Sequence, residues 1–95
     1  MSATWSEIKR RANLLKHGLD FAEFDASFDG ETALYLPTYP SERGRARYLL
    51  IGDWNGTLVV AVVVSPLGTQ AFDIVSLRPA NPKERAAYDR YRSKS

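Results

Sequence analysis

The chain lacks cysteine altogether and has a single histidine in 95 residues. The absence of cysteine excludes disulfides, zinc–thiolate sites and cysteine nucleophiles. One histidine, His17, cannot build a histidine-based metal site, and neither an HExxH motif nor a glycine-rich phosphate loop is present. No serine stands in a nucleophile-elbow sequence, so Ser-His-Asp catalysis has no support. The sequence therefore predicts no metal site and no cofactor.

Long hydrophobic segments are also missing. The longest apolar run, residues 58–64, is far too short to cross a bilayer, and the N-terminal MSATWSEIKRR lacks the apolar segment of a signal peptide. Apolar residues make up 44% and charged residues 25% of the chain, which is ordinary globular composition. We therefore expect a single domain spanning residues 1–95 in the cytoplasm, with no membrane association.

One long segment of the chain contains no positively charged residue. From Phe21 to Glu42 there are five acidic residues and no lysine or arginine, whereas the rest of the chain carries 13 basic and 6 acidic residues. The segment thus has a charge of −5 and the remainder +7, for a net charge of +2. Such segregation lets one surface bind a polyanion, although the charges could also simply solvate the surface. Nucleic acid is therefore a candidate ligand.

Two helices are expected at the start of the chain. Thr4 and Glu7 have capping-box spacing, and Gly18 is suited to end the helix that they begin. Asp20 is a good N-cap for a second helix that runs to about Phe28. Apolar residues at helical spacing predict one buried stripe on the first helix; they are Trp5, Ile8, Ala12 and Leu15.

Strand patterns follow from residue 31. Asn55-Gly56 is the strongest hairpin signal, because a type I′ turn needs positive φ at both central residues. Pro37 is expected to end the first strand, and Pro66 to begin the turn after the third. The third strand is apolar on both faces and should be central in its sheet. The predicted strands are residues 31–36, 45–53, 57–65 and 70–78.

The last element is a helix with a strong start. Asn81 is its expected N-cap, Pro82 fits the first helical position and Glu84 completes a capping box. The predicted order is two N-terminal helices, four strands and a C-terminal helix. This order indicates an α+β fold with a four-stranded antiparallel meander.

The remaining reactive side chains, arginine, lysine, tyrosine and one histidine, suit metal-free RNA cleavage. A base must remove the proton of a ribose 2′-OH, cations must stabilise the phosphorane, and a donor must protonate the departing 5′-oxygen. Arginine grips two phosphate oxygens and keeps its charge. Lysine or histidine can transfer protons when neighbours lower its pKa, and tyrosine can stack on an unpaired base.

Several stretches, in order, resemble the BrnT family of toxins from type II toxin–antitoxin systems. Lys9 with NLLKHGL at residues 13–19 and Phe21 is similar to the family pattern K…NxxKHGVxF. RYLLIG at residues 47–52 resembles the ERxxxIG strand, and residues 76–88 resemble SARxA…ERxxY. Together with Phe28-Asp29, these matches extend from Trp5 to Tyr88.

The resemblance implies a RelE-like fold and a metal-independent endoribonuclease that cleaves RNA and inhibits translation and growth. It also implies neutralisation by a BrnA-like ribbon-helix-helix antitoxin in a hetero-oligomer. That complex would repress its own promoter, so DNA would be contacted only through the antitoxin.

The candidate site residues fall into two groups. The residues expected around the scissile phosphate are Arg78, Arg47, Lys16 and His17. Those expected to contact RNA are Lys9, Arg43, Arg45, Arg85 and Tyr88. Structural alternatives remain open: His17 could complement the dipole at a helix end, Arg78 could pair with Glu84 or with a carboxylate on the second helix, and Tyr88 could pack against the sheet.

Two residues depart from the family pattern. Asp73 stands where the family commonly has an arginine, and Ser6 replaces its usual acid in the N-terminal WD. A carboxylate facing phosphate would repel it, so Asp73 either points away from the cleft or marks a member that is weak, altered in target or inactive. The alternative function is therefore a catalytically weak or inactive protein that binds an antitoxin within a DNA-binding autorepressor complex.

Overall fold

The computed structural model describes residues 2–94, which form one five-stranded sheet flanked by helices. The strands are β1 (Ser2–Thr4), β2 (Leu34–Thr38), β3 (Arg47–Trp54), β4 (Leu58–Leu67) and β5 (Ala71–Pro79). The helices are α1 (Glu7–His17), α2 (Phe24–Ser27), which follows a 3₁₀ turn (Phe21–Glu23), and α3 (Pro82–Ser93). The strand order is β1-β5-β4-β3-β2, and every pair is antiparallel except β1 with β5.

The α+β class is confirmed, but the predicted four-stranded antiparallel sheet is wrong by one strand. Residues 2–4 form β1, which pairs in parallel with residues 71–73 of β5. Thr4 is therefore a strand residue and not a helix cap, and its hydroxyl donates to the Asp73 carboxylate at 3.1 Å. Ser6 is the N-cap of α1, and its side chain accepts a 3.4 Å hydrogen bond from the backbone N–H of Lys9.

The two prolines that were expected outside strands lie within them. Pro37 belongs to β2, which is an edge strand and so tolerates a residue without an N–H donor. Pro66 pairs with Phe72 on β5. On its other side, β4 extends past the start of β3 at Arg47. No backbone carbonyl of β3 therefore needs the N–H that Pro66 lacks.

The hairpin and the central strand are as predicted. Asn55 and Gly56 have φ values of 55° and 69°, as a type I′ turn requires. β4 lies in the middle of the sheet, and its residues Val60 and Ala61 are fully buried although they point to opposite faces. A strand covered on both sides explains why its sequence does not alternate.

One face of the sheet carries the larger core. Phe24 and Phe28 of the α2 region stack with ring centroids 4.9 Å apart above Leu50 and Val62. Gly52 allows this approach, because a Cβ there would lie 3.0 Å from the ring of Phe28. The aromatic residues of the short helical segment thus cover the sheet where α1 does not.

The opposite face is covered by α3. Tyr88 packs with Ile51, Ala61 and Ala80 in a smaller cluster. The predicted Asn81–Glu84 capping box is present, and Glu84 also accepts two hydrogen bonds from the Arg78 guanidinium, at 2.7 and 2.9 Å. This bidentate pair ties the first turn of α3 to β5.

The predicted buried stripe on α1 is wrong. Ile8 is 83% exposed and Leu15 is 92% exposed, whereas Asn13 on the opposite side of the helix is buried. The Asn13 amide donates to the Leu77 carbonyl at 2.8 Å and accepts from the Leu77 N–H at 3.1 Å. The helix lies along the part of the β5 edge that β1 does not cover. The backbone N–H and C=O groups there need hydrogen-bond partners, so a polar side chain faces them.

We predict that Asn13→Ala destabilises the fold by roughly 2–3 kcal/mol, because the buried N–H and C=O of Leu77 lose their partners. Chemical denaturation of both proteins measures the difference. Lys16→Ala on the exposed side of the same helix is the control and should change stability by less than about 0.5 kcal/mol. Equal effects of the two substitutions would contradict the assigned role of Asn13.

We further predict a pH-dependent contribution from Glu84. The Arg78 hydrogen bonds, followed by that from the Asn81 N–H, hold the pKa of Glu84 below its ordinary value despite burial. A carboxylate with a depressed folded pKa stabilises the fold above its unfolded pKa of about 4.3 and loses that contribution as pH falls through the folded value. Glu84→Gln keeps a capping amide but removes the charge, so its unfolding free energy should vary less with pH below about 5 than the wild type's.

Candidate functional site

Four cations converge on one surface depression of about 390 Å³, here called the basic cleft. It lies at the end of the sheet face that α3 leaves uncovered. The cations are Lys9, Arg43, Arg45 and Arg47. The other lining residues are Ser41, Glu42, Ser65, Asp73 and Val75.

Arg47 is placed by the start of β3. Its side chain shares a face with Leu49 and Ile51, since side chains alternate along a strand. Ser65 of β4 lies beside it, and the buried Ser65 hydroxyl donates to the carbonyl of Ala46 at 2.9 Å. This bond fixes the backbone immediately before Arg47, so the guanidinium extends from a rigid strand end.

Arg43 and Arg45 are carried by a compact turn. The Ser41 N–H donates to the Arg45 carbonyl at 2.9 Å, and the Ser41 hydroxyl accepts from the Arg45 N–H at 3.0 Å. Gly44 closes the turn with a φ of 80° and donates its N–H to the Ser41 carbonyl at 2.8 Å. Both arginines are exposed at the rim of the basic cleft.

Asp73 lines the basic cleft, so of the two alternatives that the sequence left open, the one in which it points away is not adopted. Val75 is an extra residue in β5, because Val63 pairs with Ser76 while Val64 pairs with Ile74. In a regular strand, Asp73 and Arg78 would face opposite sides, since they are separated by an odd number of residues. The bulge brings both side chains to the same face.

Within the part of the chain that the structure describes, the cleft cations have no carboxylate partners in close range. Among residues 2–94, no ion pair within 4.0 Å involves any of the four, whereas Arg10 is paired with both Glu7 and Asp20. Four cations against Glu42 and Asp73 leave the basic cleft with a net charge of +2. An anion entering the cleft therefore meets guanidinium and ammonium groups whose hydrogen-bond donors are available.

Arg78 lies on the same sheet face but outside the basic cleft. It pairs with Ala61 in the row that contains Ile51, on the order of 13 Å along the strands from the row of Arg47. Its bidentate contact with Glu84 raises the pKa of the guanidinium. The structural alternative of a pair with Glu84 is thus what the chain adopts.

Lys16 and His17 end α1, and neither lines the basic cleft. Lys16 is exposed on the same flank of the helix as Lys9, about 10 Å further along its axis. His17 is half-buried, and its imidazole makes no hydrogen bond within the described part of the chain. It directly precedes Gly18, whose φ of 70° ends the helix, so it occupies the position favoured for a cation at a helix dipole.

The two candidate residues on α3 also lie away from the basic cleft. Arg85 is exposed, whereas Tyr88 is only 4% exposed and packs on the sheet. The Tyr88 hydroxyl is enclosed and has no hydrogen-bond partner in residues 2–94. Contact between Tyr88 and RNA would therefore require α3 to move.

The structure thus brings together one expected catalytic residue and three expected RNA-binding residues. Sequence reasoning missed the location of Asp73 in the basic cleft, and it missed Ser41, Ser65 and Val75 entirely. The bulge that redirects β5 leaves no mark in the hydrophobic pattern. No group of three or more histidine, aspartate or glutamate side chains in the described residues could hold a metal, and no helix there is long and apolar enough to span a membrane.

Comparisons with known proteins identify the family of the chain. A family model described as "Ribonuclease toxin, BrnT, of type II toxin-antitoxin system" matches residues 5–84. The 1.1 Å crystal structure of the Brucella abortus ribonuclease toxin BrnT is similar at 36% identity and a TM-score of 0.70, covering 85% of this chain and 97% of that one. A search of curated protein sequences gave no match. The chain belongs to the BrnT family of ribonuclease toxins of type II toxin–antitoxin systems.

Proposed function

We propose that the chain cleaves RNA endonucleolytically without a metal ion and that the basic cleft is where RNA binds. The observation that carries this proposal is the convergence on one depression of four cations, none of them held by a carboxylate of the described residues. RNA presents a regularly spaced anion, and unpaired arginine forks bind phosphate oxygens in pairs. A ribonuclease toxin needs such a surface in the folded state.

Arg47 and Arg45 are the proposed phosphate ligands. Their fixed charge would stabilise the phosphorane that forms when the ribose 2′-oxygen attacks the adjacent phosphorus. The O2′–P bond forms and the P–O5′ bond breaks, which leaves a 2′,3′-cyclic phosphate and a 5′-hydroxyl. Lys9 is the proposed donor to the departing oxygen, because it is the cation of the cleft that can release a proton.

Asp73 is the proposed general base. A base must reach the 2′-OH beside a bound phosphate, and the cleft offers only two carboxylates, Asp73 and Glu42, while His17 lies elsewhere. Asp73 is on a strand and its Oδ1 is oriented by the Thr4 hydroxyl at 3.1 Å. Glu42 is exposed on the turn. A carboxylate held in place by a second residue meets the positional demand of proton transfer better.

The other candidate residues retain secondary roles in the proposal. Lys16 and His17 would bind flanking phosphates, since α1 extends from the cleft along the edge of β5. Arg85 would add an exposed cation on α3. Arg78 and Tyr88 would contact RNA only if the Arg78–Glu84 tie of α3 opened.

The cellular role follows from the family. We propose that RNA cleavage in the cytoplasm inhibits translation and growth, and that a BrnA-like ribbon-helix-helix antitoxin neutralises the toxin in a hetero-oligomer. DNA would be contacted only by that complex, at its own promoter.

One observation favours a second candidate function. Asp73 occupies a cleft whose cations would otherwise be available to phosphate, and a carboxylate there repels RNA if it has no chemical task. In that case the chain would be a catalytically weak or inactive partner of the antitoxin.

We predict that Arg47→Ala lowers RNA cleavage by about 10²-fold or more, because a charge aimed at the phosphorane is lost. Cleavage of a fluorescent oligoribonucleotide in the presence of chelator measures the effect, and wild-type activity should not depend on added metal. Arg90→Ala removes the same charge from an exposed position of α3 and should change the rate by less than about twofold. Similar losses in both variants would argue against the basic cleft.

We predict opposite changes in binding and cleavage for Asp73→Asn. Loss of the negative charge should tighten the binding of a non-cleavable 2′-deoxy analogue, whereas cleavage should fall by about 10²-fold or more because no base remains. The asparagine oxygen can still accept the Thr4 hydrogen bond, so the local fold is kept. Glu42→Gln is the control and should leave cleavage close to wild type. A rise in cleavage for Asp73→Asn would instead favour the second candidate function.

A further inference from the structure

The outward side of α1 carries apolar side chains that no other part of residues 2–94 covers. Ile8 is 83% exposed and Leu15 is 92% exposed, and at about 100° per residue both point to the side of the helix away from the buried Asn13, with Ala12 between them along the axis. We call these three residues the α1 ridge. Large apolar side chains that share one exposed side of a helix, about two turns apart, offer a partner apolar area to bury, so the α1 ridge is a candidate contact surface.

The charges that border the α1 ridge are all positive. Lys9 and Lys16 follow one flank, and Arg11 lies on the other. The only acidic residue of the helix, Glu7, is engaged by Arg10 at 3.0 Å and by the indole N–H of Trp5 at 3.1 Å. A partner that buries the ridge must therefore bring apolar side chains flanked by carboxylates.

This charge pattern disfavours a second copy of the chain. Two ridges packed face to face would bring Lys9, Arg11 and Lys16 of one copy against the same residues of the other. Unpaired like charges at an interface weaken association. The ridge is also narrow, with two large apolar residues, and the opposite side of α1 is fixed to the sheet by Asn13, so insertion into a membrane is less well supported.

We propose that the α1 ridge binds the apolar side of an acidic amphipathic segment of the antitoxin. The carboxylates of that segment would lie along Lys16 and Lys9. Because Lys9 also lines the basic cleft, a segment bound there would extend over the cleft and screen its cations from RNA. This inference rests on the proposed function only for the identity of the partner, and it does not depend on the cleavage chemistry.

The test compares two purified toxin variants with the wild type for binding to the antitoxin encoded beside it. Ile8→Ser/Leu15→Ser removes the ridge and should weaken binding by about 30-fold or more, as expected for central apolar contacts. Tyr48→Ser alters a different exposed apolar surface, a groove between β3 and the α2 region, and should change affinity by less than about threefold. Wild-type binding should also weaken as salt is raised.

Both ridge substitutions are on highly exposed side chains, so the double variant should keep wild-type unfolding behaviour and wild-type cleavage of RNA. Unchanged antitoxin affinity of the double variant would overturn the proposal. So would a wild-type toxin that is dimeric alone and becomes monomeric on substitution, or one whose ridge is needed only for binding vesicles of anionic phospholipid. Lack of cleavage by the wild type would refute the nuclease mechanism but leave this affinity comparison intact.

Discussion

The arrangement of this chain depends on how the open edge of β5 is satisfied. β1 pairs with residues 71–73 only, and beyond it the N–H and C=O of Leu77 point outward with no strand to receive them. Asn13 supplies one acceptor and one donor to that residue and a further donor to the carbonyl of Leu19 at 3.0 Å. The Asn13 side chain therefore makes the hydrogen bonds that a neighbouring strand would make at Leu77, and it protects this part of the sheet edge from pairing with another chain.

The same contact determines what α1 presents to solvent. Since Asn13 must face β5, the rotation of the helix is fixed, and Ile8 and Leu15 are turned outward. Lys9 falls on the flank next to Asp73 and reaches the basic cleft. The position of Lys9 in the cleft, the outward ridge and the satisfied edge of β5 thus all follow from the orientation of one amide, which explains why a helix with this hydrophobic pattern packs through its polar side.

Local signals in the sequence were sufficient for much of the fold. Asn55-Gly56 and Asn81 identified a turn and a helix start because each satisfies nearby backbone groups through its own geometry. Long-range pairing left no such signal: Thr4 resembles a cap, and its role in β1 depends on β5, almost seventy residues away. The exposure of the ridge could not be predicted, since helical periodicity shows which side of a helix is apolar but not what packs against that side.

The candidate site divides in the same way. Arg47 could be placed from strand alternation, and Arg43 and Arg45 from their nearness to it in sequence. The pairing of Arg78 with Glu84 was an open alternative, and the distance between Arg78 and Arg47 required the register of three strands. The location of Asp73 in the basic cleft depends on the bulge, which no pattern of residue types in the chain predicts.

That bulge also limits how β5 can vary in length. The alternation of side chains between the two faces of the sheet shifts by one residue at Val75. Deleting a single residue there would therefore move every side chain of β5 before it to the opposite face. Ile74, now fully buried, would be driven into solvent, and Asp73 would be driven among the phenylalanines. A substitution in this strand changes one side chain, but a deletion or insertion would move all the side chains of a segment to the opposite face of the sheet.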